Sequence, residues 1–132
     1  MLSFKRKFYA AANSICANTK YASEITKLFL MESYCLPLMT YGCEALNLSR
    51  YQIQQLNVCW SNVYRRIFHY NSWESVKELQ FWCGHLDFKH IYFKRKLTFV
   101  RKMRELFNPV VQTCFTAFQL FAEFYNLKKL FN

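Results

Sequence analysis

Two glycines, Gly42 and Gly84, and two prolines, Pro37 and Pro109, are all that 132 residues contain. Hairpins and multi-stranded sheets draw on such residues at their reversals, because tight turns need positive or preset φ angles. A chain so poor in them is confined to long regular runs with few reversals, which argues for helices. Fifty-three per cent hydrophobic residues argue against a disordered segment, since that much apolar surface drives collapse. The length suits one hydrophobic core. The expectation is an all-α chain: a single bundle of five or six helices, one of them kinked near Pro37.

Apolar residues spaced by three and four place the helices. A first is expected over 3–17, carried by Phe4, Phe8, Ala11, Ala12 and Ile15. A second runs from about residue 21, with Ile25, Leu28, Phe29 and Glu32 setting its faces. Pro37 removes a donor and crowds the preceding turn, so this helix kinks or restarts before continuing to about residue 46. Ser49 and Gln52 have capping-box spacing ahead of the clearest stripe, Ile53, Leu56, Trp60, Val63, Tyr64 and Ile67, which predicts a third helix over about 50–70. Its other face, Gln54, Gln55, Ser61, Asn62 and Arg65, belongs in water. A short fourth helix over 73–82, capped by Ser72 and ended by Gly84, carries Val76, Leu79 and Phe81. Asp87, the only aspartate, is placed to cap a fifth helix over about 88–107, which Asn108-Pro109 ends. A last helix over 110–127 carries Val111, Phe115, Phe118, Ala122 and Tyr125. Residues 1–107 are therefore expected as the bundle, with 108–132 a C-terminal helix packed on it.

Catalytic chemistry finds little support. Metal-dependent phosphoryl transfer needs two or three carboxylates close together, and one aspartate with seven scattered glutamates does not supply them; Glu74 and Glu78 read as a solvated helical pair. Cys83, His85 and His90 form the best zinc candidate, with Cys59 or His69 as a distant fourth ligand, but their spacing matches no standard pattern and no Cys-x-x-Cys occurs. Cys83 with His85 is equally unspecific as a nucleophile and base. Gly42 and Gly84 stand alone, so no glycine-rich phosphate loop is present. The expectation is a non-enzyme without metal or cofactor. The six cysteines are widely spread and no secretory signal is apparent, so they read as reduced, mostly buried residues of an intracellular protein, in cytoplasm or nucleus. The longest uncharged stretch, 109–122, is interrupted by Gln112, Thr113, Thr116 and Gln119, and suits a buried helix better than a membrane span.

Eighteen Lys and Arg against eight Asp and Glu give a net charge of +10, which points to an acidic partner: nucleic acid first, anionic membrane surface and acidic proteins behind it. Lys5, Arg6 and Lys7, the pair Arg65 and Arg66, and the series through helix five carry most of this charge. At about 100° per residue, Lys94, Arg95, Arg101 and Lys102 share one arc opposite Phe88, Tyr92, Phe99 and Met103, while Lys89, Lys96 and Arg104 lie nearer the apolar side. Those four make a basic ridge suited to tracking phosphates. The plainer reading is that they are ordinary solvated side chains.

Four stretches also resemble a known family. Arg6-Lys7-Phe8-Tyr9 leading to Asn13, ESYCLPLMTYGCEAL over 32–46, LNVCWSNVYRRIFHY over 56–70 and WESVKELQFWCGHLDFKHI over 73–91 are similar in order and spacing to the region that follows the palm in reverse transcriptases of non-LTR, LINE-like retrotransposons. The resemblance covers roughly residues 4–103. It is most specific over 37–42, at Trp60 with Arg65 and Arg66, and over 84–88. It implies a thumb and adjoining connection, a helical bundle holding a template–primer duplex mainly through phosphate contacts from Lys and Arg. The expected partners are then nucleic acid (RNA, DNA or a hybrid, without sequence preference) and either the missing palm or a second copy, with no membrane. The family's palm with its paired aspartates, its endonuclease and any cysteine-rich knuckle have no counterpart in these residues, which suggests a detached fragment or relic. The segment beyond Arg104 departs from the family.

Overall fold

The computed structural model describes residues 2–120, and among them every regular element is helical. Six helical runs follow one another: α1 (Leu2–Asn18); a composite of α2 (Glu24–Leu30), a π-turn (Met31–Cys35) and α3 (Leu36–Thr40); α4 (Arg50–Phe68); α5 (Lys77–Trp82); α6 (Phe88–Glu105); and α7 (Pro109–Leu120). The expected extension of the last helix to residue 127, with Ala122 and Tyr125, lies outside the described residues, as does the side chain of Phe118.

The composite run shows how the chain accommodates Pro37. Its ring has no N–H to give and crowds the carbonyl four residues back. The turn before it widens instead, so that the amide of Leu36 bonds to Met31 O, five residues earlier. Widening by one residue keeps Leu28, Met31, Cys35 and Met39 all buried on the inner side. The run does not continue to residue 46 as expected. Tyr41 is extended (φ −60°, ψ 118°) and Gly42 is left-handed at φ +69°, after which successive turns carry the chain to Leu46.

α4 starts as its sequence demands: Gln52 N donates to Ser49 Oγ (3.2 Å) and Ser49 N to Gln52 Oε1 (2.8 Å). It ends on His69 in the left-handed region, φ 59°, a conformation that costs a side-chain-bearing residue about 1–2 kcal/mol. α5 begins at Lys77 rather than Trp73. The residues before it form a turn in which Asn71 N donates to the Glu74 carboxylate (2.6 Å). The Glu74 carbonyl, which a longer helix would have used internally, accepts from the Arg65 guanidinium instead. Gly84, at φ +74°, closes α5 as expected, with His85 N bonded back to Gln80 O (2.9 Å).

α1 and α4 run side by side in the same direction, because Lys5 bonds to Gln55, Tyr9 to Asn62 and Asn13 to Arg66 in ascending order. The α4 face expected in water is thus partly a polar seam against α1. α6 runs opposite to α4: Phe88 N donates to Asn57 Oδ1 (3.0 Å), and Leu48 N to Tyr92 Oη (3.3 Å). One continuous core joins these helices, from Phe8 and Ala12 through Leu28, Met31 and Met39 to the α4 stripe, Phe88 and Tyr92. At its centre Trp60 meets Tyr64 edge to face, 5.6 Å between centroids. α7 folds back on α6 over a separate small cluster of Val100, Met103 and Phe115. Gln112 Nε2 donates to the carbonyl of Leu106 (2.6 Å) at that hairpin. All six cysteines are free thiols; Cys35, Cys43 and Cys59 are buried, but Cys114 is exposed.

Candidate nucleic-acid interface

α6 is launched by Asp87, whose carboxylate accepts from His90 N (2.9 Å) and also meets the His90 ring. An acidic cap at this end faces the positive pole of the helix dipole. From there the helix buries Phe88, Tyr92, Lys96, Val100 and Met103 and turns Lys94, Arg95, Arg101 and Lys102 outward. None of the four forms an ion pair among the described residues. Glu105 lies on the same arc and closes the ridge at its far end.

Beside the ridge lies an open groove of about 530 Å³. α6 supplies Lys94, Arg95 and Lys102 together with Ile91 and Phe99, and the segments packed against it supply Glu32, Leu36 and Glu44. The groove exists because the π-turn, the turns after Gly42 and the α5–α6 connection all converge on α6. Glu32 is held by His85, Nδ1 to Oε1 at 2.6 Å. Burial raises the Glu32 carboxyl above its ordinary range, and the imidazole of His85 opposes that shift. Glu44 has one oxygen, Oε2, buried without a hydrogen-bond partner. Its charge adds to burial in raising the neighbouring Cys43 thiol, while Arg95 acts in the opposite sense.

The other sequence candidates are placed elsewhere. Arg65 is half-buried and each of its three nitrogens is engaged: Nε and Nη2 donate to Glu74 O (3.1 and 3.0 Å) and Nη1 to Asn62 Oδ1 (2.9 Å). It holds the turn before α5, and its donors are not turned to a phosphate. Arg66 reaches Asn13, and Lys5 reaches Gln55, across the α1–α4 seam. Arg6 and Lys7 are exposed on α1. No residue of α1 or α4 lines the groove, so the expected set of nine cations divides, and only those of α6 form one surface. The zinc candidates divide too, His85 engaging Glu32 and His90 engaging Asp87.

Lys96 has a role that charge counting does not reveal. It is 1% exposed, and its ammonium donates to Leu46 O, Asn47 Oδ1 and Tyr92 Oη. Tyr92 Oη donates in turn to Leu46 O (2.9 Å). Together they tie the 46–48 segment to α6, next to the groove. The helical angle of Lys96 was a signal for its burial; its partners Leu46 and Asn47, 50 and 49 residues away, left none.

Comparison of the chain with protein-family models, with curated proteins and with solved structures gives no match.

Proposed function

We propose that this chain is a non-catalytic helical domain that binds nucleic-acid backbone through α6, acting as the thumb of a retroelement RNA-directed DNA polymerase acts on its template and primer. The observation that carries the reading is the ridge: four cations on one exposed arc of one helix, none of them in an ion pair among the described residues. Such a surface gains affinity by displacing condensed counterions and reads little or no sequence. No described helix is long and apolar enough to cross a membrane. The reverse-transcriptase assignment rests on the sequence resemblance alone, and the ridge would serve equally outside that family.

The test is the salt dependence of binding to a mixed-sequence nucleic acid. Replacing Lys94, Arg95, Arg101 and Lys102 by alanine together lowers the log–log slope by about 0.9 for each duplex phosphate no longer neutralised, and less for single strands. A quadruple variant that keeps the wild-type slope refutes the ridge as the binding surface.

A second reading has its own observation. Trp73, Phe81 and Trp82 are 81, 75 and 81% exposed around the short α5, and large exposed aromatics of this kind mark protein contacts. On this reading the chain is an interaction module, docking a palm-like domain or a second copy.

A further inference from the structure

Tracking the outside of a duplex requires a ridge and nothing more, because the phosphates lie on a convex surface. Here the ridge borders a concavity, and the lining of that concavity carries both signs. α6 brings Lys94, Arg95 and Lys102, with Phe99 on the same helix, and the segments packed against it bring Glu32 and Glu44. The volume, about 530 Å³, falls in the range of sites that enclose a small organic group, about 300–1,000 Å³. Lys94 and Lys102 stand eight residues apart on one helix, about 12 Å of rise, enough for more than one phosphate along the wall.

We infer that the groove takes an unpaired base of a single-stranded nucleic acid, the flanking phosphates lying on Lys94, Arg95 and Lys102. This rests on the backbone-binding reading and narrows its ligand from any duplex to an open strand. The charges dictate the orientation. Carboxylates repel phosphate, so the backbone stays on the α6 side and the base points across the groove. Phe99 offers a ring for the base to lie against, the device single-strand binders combine with a basic groove. On the far side a carboxylate only accepts, and base amino groups are donors that suit it. Glu32 already receives a bond from His85; Glu44 lines the groove and its carboxylate is the acceptor left for a base amino group. A paired base has its edge and both faces occupied and cannot enter.

The experiment measures, by fluorescence anisotropy of the full chain, three RNA probes of about 12 nucleotides, within the usual span of such sites: an alternating cytidine–adenosine strand, oligouridine, and the first strand annealed to its complement. The expected order is the amino-bearing strand tightest, oligouridine weaker and duplex weakest. Phe99→Leu, which keeps bulk against the α7 cluster, lowers affinity for the alternating strand about fivefold or more and leaves the duplex unchanged. Duplex binding as tight as the strand, equal affinity for the two strands, or a Phe99→Leu loss equal on strand and duplex each overturns the groove inference. If all three probes bind with a salt slope that the quadruple alanine variant leaves unchanged, the backbone-binding reading fails as well.

Discussion

Removing the Arg65 guanidinium separates a structural cation from a binding one. Its three donors engage the carbonyl of Glu74 and the side chain of Asn62. A hydrogen bond from a charged donor contributes about 1.5–3 kcal/mol net. Two of these share one acceptor and the group is only half-buried, so their joint contribution is discounted to about 2 kcal/mol. Arg65→Met keeps the aliphatic stem and loses that amount, corresponding to a fall in Tm of about 6–10 °C for a domain of this size. Arg65→Lys keeps the charge but not the fork, and recovers less than half. The assay is urea unfolding followed by tryptophan fluorescence, which reports both Trp60 in the core and Trp73 in the turn that Arg65 holds. Binding is measured in parallel at a temperature where every variant is folded. The expected pair of results is lower stability with an unaltered salt slope. Unaltered stability together with a slope reduced by about 0.9 shows instead that Arg65 touches phosphate, and refutes the division of the cations between seam and ridge.

Two further outcomes test other parts of the molecule. Tyr64 is wholly buried with its hydroxyl unpartnered, and burial, reinforced by Glu32 and Cys83, raises its pKa well above the ordinary value. A raised folded-state pKa means stability present below the unfolded value of about 10 and lost as pH rises through the folded one. Tyr64→Phe therefore gains about 1 kcal/mol at neutral pH and loses less than wild type in alkaline unfolding; a variant with the same alkaline slope counts against this. For the α5 aromatics, light scattering at rising concentration should show association that disappears when Trp73, Phe81 and Trp82 become serine. A wild-type chain that stays monomeric and binds no hydrophobic dye disposes of self-association through that patch.

The features legible in the sequence are those decided within a few residues. The Ser49–Gln52 cap, the Asp87 cap and the Gly84 stop all depend on neighbours in the chain, and each stands where its local pattern places it. The exposure of Lys94 and Arg101 opposite the buried Tyr92 and Met103 follows from helical angle alone, whereas Arg95 and Lys102 stand at the flank, towards Phe99 and the groove. What escaped is set at a distance. α5 starts late because Arg65 captures a carbonyl nine residues ahead. Glu32 and His85, fifty-three positions apart, meet only because the π-turn and the α5–α6 connection converge. The groove has no sequence signature, since its walls come from four segments, and Glu44 read alone is one more surface glutamate. Arg65 and Arg66 look alike on paper, yet one faces a backbone carbonyl and the other an asparagine across a seam.

The division of α6 between two apolar clusters has a consequence for motion. The half carrying Lys94 and Arg95 is fastened to the main core through Tyr92 and Lys96, while the half carrying Arg101 and Lys102 rests on Val100, Met103 and Phe115 against α7. Amide protons of the first half therefore exchange only with global unfolding, and those of the second through a local opening that lets α7 lift away. A strand held along the whole ridge would suppress that opening, so binding would be felt as slowed exchange in α7, a helix carrying none of the ridge cations.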